Sequence, residues 1–206
     1  MLITISRQYG AGGSEVARMV AERLGWQVVD NEIVDLVARR AGLTREAVAS
    51  RDERVPGFVE RLAHALAVSS QEYAVPELGV AVRTEEPALV RITEMVVKEI
   101  AAEGRVVLVG RAAPAVIGQA PDALHVKLVA PRAFRVRVAM EAEGLDAPTA
   151  ERRLEEVDAQ RARYHRDHYG RDWDDPVHFH MVLNTGLLGF EGAAEVIVAR
   201  ARALGW

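Results

Sequence analysis

The first thirty residues constrain the fold most, because a strand, a glycine-rich turn, a helix and a second strand follow one another there. Residues 2–5 are apolar or β-branched, as in a buried strand. After the turn at residues 10–14, apolar residues recur at helical spacing up to Gly25, a residue typical of helix C-termini. Residues 26–30 favour a second strand. The segment is therefore predicted to be a βαβ unit with glycine in its first turn.

The remainder of the chain continues the alternation of strands and helices. Further strands are predicted at residues 105–111, 123–130 and 179–184, and helices at 32–41, after 44, and at 58–69, 87–103, 131–143, 149–164 and 191–204. Five strands separated by helices predict an α/β fold with a parallel sheet covered on both faces. With 206 residues and no internal repeat, the chain is expected to form a single domain.

Composition excludes several classes of protein. The chain has no cysteine, which excludes disulfides, thiolate metal sites and a cysteine nucleophile. No apolar run approaches the roughly 20 residues that span a bilayer, and residues 1–5 lack the features of a signal peptide. The net charge of −4 gives no reason to expect nucleic acid binding. We therefore expect a soluble, unprocessed, cytoplasmic protein that binds neither membranes nor nucleic acid.

The choice of cationic residues is uneven. Lys98 and Lys127 are the only lysines among 26 basic residues, so 24 are arginines. An anion in an active site would therefore be held by arginine, backbone amides or a metal ion, and arginine suits bidentate phosphate contact. Histidines and aspartates alternate between residues 165 and 180, but no spacing matches a tetrahedral zinc site.

The glycine-rich turn is a candidate phosphate site, because a strand-to-helix turn presents free backbone amides and a helix N-terminus to an anion. The usual phosphate loop reads G-x-x-x-x-G-K-[ST]. The corresponding residues here are Arg7, Gln8, Tyr9, Gly10, Ala11, Gly12, Gly13 and Ser14. Arg7 stands at the first glycine and Gly13 at the lysine, while Ser14 retains the hydroxyl. The pattern predicts a phosphate-binding turn, with a purely structural glycine turn as the alternative.

Three side chains near this turn have candidate roles. Arg7 could replace the missing lysine as the cation over the β- and γ-phosphates, or it could be a surface arginine or pair with Glu15. Ser14 is a tentative magnesium ligand, or a residue favoured at a helix N-terminus. Asp30 follows the second strand, at the edge where open α/β sheets bind ligands. It could bind the acceptor, order metal-bound water or cap the next helix.

The sequence resembles the cytidylate kinase-like family, through residues 3–13 (ITISRQYGAGG) and 109–111 (VGR) and, less closely, through residues 26–30, 161–165 and 183–186. The resemblance implies a three-layer α/β/α P-loop kinase fold. Its core would comprise residues 1–30, 105–131 and 179–206, with a helical segment that binds a nucleoside monophosphate at 31–104 and a helical lid at 132–178. It also implies transfer of the γ-phosphoryl group of ATP to CMP or dCMP, with Mg²⁺.

The resemblance assigns further residues to this reaction. Arg111 would hold the acceptor phosphate, unless it forms a structural salt bridge, and residues 8–14 would hold the phosphates of ATP. Arg135, Arg161 and Arg163 would neutralise the transferring phosphate from the lid, unless they are solvated helix charges. The two-residue spacing of Arg161 and Arg163 favours a lid that kinks or closes over two phosphates. Oligomeric state is not predicted.

Two departures from the family pattern leave other functions open. Ala112 stands where cytidylate kinases carry an aspartate, so a kinase of another small acceptor is one alternative. Gly13 stands in place of the phosphate-loop lysine, so a non-catalytic nucleotide-binding module is another.

Overall fold

The computed structural model describes residues 1–30 and 86–206. The helices predicted between residues 31 and 85 lie outside the described residues. Five strands are present: β1 (Leu2–Arg7), β2 (Gln27–Val29), β3 (Val106–Val109), β4 (Ala123–Val129) and β5 (Met181–Asn184). The helices are α1 (Gly13–Leu24), α2 (Glu86–Glu103), α3 (Ala113–Ile117), α4 (Arg132–Glu143), α5 (Ala147–Tyr169) and α6 (Thr185–Ala203), with a short 3₁₀ turn at Pro176–His178.

The strands form one parallel sheet in the order β2-β3-β1-β4-β5. In the register of the central strand, Ile5 lies beside Val109 of β3 and Val126 of β4. The turn after β1 therefore emerges in the middle of the carboxyl edge, between the ends of β3 and β4. The predicted five-stranded parallel sheet is confirmed, and this edge is where such sheets bind ligands.

The two faces of the sheet are covered by different helices. On one face, Ile3 and Ile5 pack with buried residues of α1 and α6, including Val16, Val20 and Ile197. On the other face, Val96, Val97 and Ile100 of α2 pack with Leu2, Val106 and Leu108, together with Ala113 of α3. The described residues thus form the three-layer α/β/α arrangement predicted from the sequence. No helix in the described residues is long and apolar enough to cross a membrane.

The second face also carries a row of buried polar side chains on β1 and β4. Thr4 Oγ1 lies 2.7 Å from His125 Nδ1, and Trp173 Nε1 donates to Ser6 Oγ at 3.1 Å. Lys127, which is 1% exposed, donates to the Trp173 carbonyl at 2.5 Å and to Asp174 Oδ1 at 2.6 Å. Buried polar groups are costly unless paired, so these bonds hold the segment after α5 against the sheet.

Two helices differ from their predicted extent. α5 continues to Tyr169 rather than ending near residue 164, and Gly170 closes it in the left-handed conformation. α6 begins at Thr185, six residues before the predicted start, with a kink at Gly189. The Asn184 side chain caps the first turn of α6 by accepting a hydrogen bond from the Gly186 amide at 3.0 Å. A prediction from apolar spacing does not use this capping signal and therefore begins the helix too late.

Candidate active site

The turn after β1 depends on two glycines. Gly10 and Gly12 both have φ of +75°, a conformation that favours glycine. A Cβ on Gly10 would lie 2.5 Å from the carbonyl oxygen of Arg135, and one on Gly12 would lie 2.2 Å from the Phe190 ring. α1 then begins at Gly13 with no side-chain cap. The amides of its first turn are therefore not capped by the preceding side chain, as an anion site requires.

Arg7 and Gly13 fit together sterically. A Cβ on Gly13 would lie 2.6 Å from Cγ and 3.0 Å from Cδ of Arg7. The Arg7 side chain therefore occupies the space into which a side chain at position 13 would extend. Gly13 is not among the glycines with positive φ, so a larger residue there is opposed by Arg7 and not by the backbone.

Ser14 and Asp30, two predicted site residues, meet beside Arg7. Ser14 Oγ donates to Asp30 Oδ2 at 2.5 Å, and Arg7 Nη2 lies 3.9 Å from Asp30 Oδ1. Asp30 directly follows β2, so the carboxyl edge of the sheet brings these residues together. A hydroxyl and a carboxylate are oxygen ligands of the kind that Mg²⁺ prefers, and this pair beside the glycine-rich turn therefore fits the ion.

Arg7, Arg111 and Arg161 line one cavity of about 340 Å³ at the carboxyl edge. Among the described residues, its lining contains no aspartate or glutamate. Arg111 lies two residues after β3 and has φ of 55°, and Ala112 has φ of 50°. Left-handed conformations are uncommon outside glycine and mark local strain, which here accompanies the placement of Arg111 in the cavity.

The charge of Arg7 disfavours the protonated forms of Arg111 and Arg161. Burial, reinforced by the charge of Arg7, lowers the pKa of Arg161 to about 9. Burial also lowers the pKa of Arg111, and Arg7 adds to that shift. Like charges that share a partly desolvated cavity are stabilised by a bound anion, because the anion favours their charged forms. The electrostatics of the cavity therefore suit an anionic ligand.

The described lining also includes aromatic and polar side chains, namely Tyr164, His165, Trp173 and Ser6. Burial, with smaller contributions from Lys127 and Arg171, lowers the pKa of His165 to about 4, so its ring is uncharged at neutral pH. From the sequence alone, Tyr164 and Trp173 could pack beneath a lid or stack on a base, and packing is favoured. Trp173 is 3% exposed and does pack, yet its place in the wall depends on contacts with β1 and β4 that no local pattern signals.

The three arginines predicted to belong to a lid differ in their contacts and exposure. α5 runs without a break through both Arg161 and Arg163, so the helix does not kink there, and closure over two phosphates stays a prediction. Arg161 Nη1 donates to the Arg7 carbonyl at 2.8 Å, whereas the Arg163 side chain is exposed and does not line the cavity. Arg135 Nη1 donates to the Tyr9 carbonyl at 3.3 Å. Arg135 and Arg161 therefore contact the backbone of the turn.

One residue of this region was not among the predicted site residues. Asp158 on α5 accepts a hydrogen bond from the Tyr9 amide at 2.8 Å and pairs with Arg135 at 2.5 Å. The available signal was its position three residues before Arg161, which places both on one helix face. The described residues contain no group of three or more potential metal-ligating His, Cys, Asp or Glu side chains.

Several solved structures have a similar arrangement. A protein from Eubacterium ventriosum is 20% identical, with 98% of this chain and 99% of that chain covered and a TM-score of 0.68. Shikimate kinase from Acinetobacter baumannii, in complex with shikimate, is 16% identical over 98% and 92%, with a TM-score of 0.50. A gluconokinase from Sinorhizobium meliloti is 12% identical over 97% and 91%, with a TM-score of 0.51. These similarities show a P-loop kinase fold.

The sequence profile of the cytidylate kinase-like family matches residues 2–187. The chain belongs to this family, which confirms the resemblance based on the turn and on residues 109–111. No curated protein sequence gives a significant match. The family and the fold together support a nucleotide-binding kinase that catalyses phosphoryl transfer.

The lowered pKa of Arg161 predicts that anion binding is sensitive to alkaline pH. Loss of the Arg161 proton above about pH 9 removes one cation, so ATP affinity should fall up to roughly tenfold between about pH 8 and pH 10. Calorimetric titration across this range measures the effect. In Arg161→Gln, affinity should already be lower at pH 8 and should change less with pH. Parallel pH profiles for the two proteins would contradict the assignment.

Proposed function

We propose that this protein transfers the γ-phosphoryl group of ATP to a nucleoside monophosphate, with CMP or dCMP as the preferred acceptor. The observation that carries the proposal is the cavity beside the turn, with three guanidinium groups and no carboxylate in its described lining. A phosphate acceptor is already a nucleophile and needs its charge neutralised rather than its proton removed. A hydroxyl acceptor would instead need a general base within reach of its proton.

The positions of the residues support a division of roles. The turn at residues 8–14 would bind the phosphates of ATP, through those of its amides that are not already bonded to Asp158 or to backbone carbonyls. Arg7 would be the cation over the β- and γ-phosphates. Arg111 would bind the acceptor phosphate, and Arg161 would neutralise charge on the transferred group. An oxygen of the acceptor phosphate forms the new bond to the γ-phosphorus while the bond to the β-γ bridging oxygen breaks. The products are ADP and a nucleoside diphosphate.

The family implies Mg²⁺, and two side chains would hold it. Ser14 and Asp30 supply oxygen ligands within hydrogen-bonding distance of each other at the start of α1. Bound there, the ion would neutralise phosphate charge. Asp30 also lies near Arg7, so the same carboxylate would keep this guanidinium directed towards the phosphates.

Two alternative functions are each tied to one residue. Asp30 could act as the base for a hydroxyl acceptor, because it lies at the strand edge near the cavity arginine Arg7. Gly13 in place of the lysine favours a nucleotide-binding module without turnover, because one missing phosphate cation can remove transition-state stabilisation while ground-state binding persists.

A screen of acceptors tests the proposal. The purified protein is incubated with Mg-ATP and, separately, with CMP, dCMP, UMP, AMP, GMP and a set of small hydroxy acids, and nucleotides are separated by chromatography. We expect ADP and CDP or dCDP to form together. Turnover only with a hydroxy acid would replace the acceptor, and ATP binding with no turnover would favour the non-catalytic module.

Replacing Arg111 should affect the acceptor more than ATP. We expect Arg111→Ala to raise the acceptor KM by roughly 10–100-fold, the loss of one or two charge-assisted hydrogen bonds, with a smaller change in the KM for ATP. Steady-state kinetics with each substrate varied in turn measures both values. Arg166→Ala, an exposed arginine on α5, is the matched control. Equal changes in the two KM values would remove Arg111 from the acceptor side.

Replacing Arg7 tests whether it substitutes for the phosphate-loop lysine. Arg7→Ala should lower kcat by roughly 10²–10³-fold, as when one preorganised electrostatic donor is removed, with less effect on ATP binding. Arg7→Lys should recover only part of this loss.

The contact between Arg7 and Gly13 provides a reciprocal test. Gly13→Lys should be better accommodated in the Arg7→Ala background, because the Arg7 Cγ and Cδ atoms are gone and only the contact at 3.2 Å with the Cβ of residue 7 remains. We expect this double variant to regain part of kcat, whereas Gly13→Lys alone should be less stable. Thermal unfolding is measured for each protein. Undiminished turnover in a folded Arg7→Ala protein would exclude Arg7 as the substitute cation.

A further inference from the structure

Asp158 joins three parts of the molecule at the phosphate-binding turn. Its side chain is 19% exposed. Oδ1 accepts the Tyr9 amide of the turn at 2.8 Å, and Oδ2 lies 2.5 Å from Arg135 Nη1 on α4. On α5 itself, Arg161 Nη1 lies 3.7 Å from Oδ1. One carboxylate thus contacts the turn and two of the lid arginines.

The two arginines extend this contact along the backbone of the turn. Arg161 donates to the Arg7 carbonyl at 2.8 Å and Arg135 to the Tyr9 carbonyl at 3.3 Å. The backbone from residue 7 to residue 9 is therefore held at both ends by guanidinium groups that share Asp158. The close approach of the Arg135 carbonyl to Gly10 keeps α4 against the same turn.

Two other acidic residues on α5 form ion pairs that are exposed to solvent. Glu151 and Glu155 both pair with Arg132, and all three side chains are about half exposed or more. Surface pairs of this kind contribute little to stability. Asp158 and Arg135 are 19% and 12% exposed, so their pairing is screened far less by solvent.

We propose that Asp158 is a positioning residue for the anion site: it fixes the turn and directs the Arg161 guanidinium into the cavity. The inference rests on the proposed function only for the identity of the anion, the phosphate chain of ATP. Asp158 does not contact the anion itself. It acts through the Tyr9 amide and the two arginines.

The sign of the effect separates positioning from simple charge. Removal of a carboxylate near an anion site strengthens anion binding by Coulomb's law alone. Loss of preorganised donors weakens it, because the donors must then be ordered when the anion binds. Asp158→Asn keeps the shape and an oxygen acceptor for the Tyr9 amide but removes the charge that holds the arginines.

The test uses inorganic tripolyphosphate as the probe, titrated calorimetrically into the full chain at neutral pH. We expect Asp158→Asn to bind roughly tenfold more weakly, and Asp158→Glu, which retains the charge, to lose less. Glu155→Gln removes the same charge from an exposed site on the same helix, and its affinity should stay within about twofold of the wild type. Thermal unfolding of each variant is recorded in parallel.

Each outcome bears on the proposal. Equal or tighter binding by folded Asp158→Asn would overturn it, as would an equal loss in Glu155→Gln or a loss in Asp158→Glu as large as in Asp158→Asn. If Asp158→Asn does not fold, unchanged affinity in Asp158→Glu would overturn it, and a moderate loss would support it. No tripolyphosphate binding by the wild type would overturn the anion site itself. Tripolyphosphate binding without turnover on any acceptor would contradict the proposed function and leave this inference standing.

Discussion

Repulsion among three guanidinium groups in one cavity is the constraint that the rest of the site must satisfy. Arg7, Arg111 and Arg161 come from a strand, a loop and a helix, and each is brought to the carboxyl edge by a different part of the fold. Without compensating contacts their charges would favour separation of these elements. Asp30 lies beside Arg7, and Asp158 beside Arg161. The described part of the site therefore combines clustered guanidinium groups with fixed geometry, an arrangement that would suit the phosphate chain of the proposed nucleotide substrate.

The sheet supports that geometry through its unequal faces. The face towards α1 and α6 is apolar around β1, whereas the other face carries Thr4, Ser6, His125 and Lys127. Lys127 lies 4.2 Å from the centroid of the Trp173 ring and binds the carbonyl of the same residue. A buried ammonium needs such partners, so the segment after α5 is held where it forms the cavity wall. A conventional apolar core there would have left this segment with fewer fixed contacts.

Local sequence pattern and physical chemistry were sufficient to predict the sheet and the glycine-rich turn. The strands at residues 2–7 and 123–129 are rich in apolar and β-branched residues, although each also carries polar or charged side chains. Glycine at positions 10 and 12 is explained by φ and by close approach. The roles of Asp158 and Trp173 could not be predicted in the same way. Their partners lie 149 and 167 residues away in sequence, and no periodicity encodes such contacts. Arg161 and Arg163 are an intermediate case. The sequence singles out both arginines, but only the structure shows that Arg161 lines the cavity while Arg163, on the same unbroken helix, is exposed.

In the proposed function, Arg7 supplies the cation that a lysine at position 13 would otherwise provide, and this would change how the charge is supported. A lysine at position 13 would extend from the first turn of a helix on a flexible stem, and its ammonium would act as a point charge. Arg7 is the last residue of the central strand, and its stem packs against Gly13 while its guanidinium lies near Asp30. Its planar group can contact two phosphate oxygens at once, and its carbonyl is bound by Arg161. A cation anchored on the sheet in this way would depend on α5 for its position, so that α5 would contribute to the proposed phosphate site even where its side chains do not touch the nucleotide.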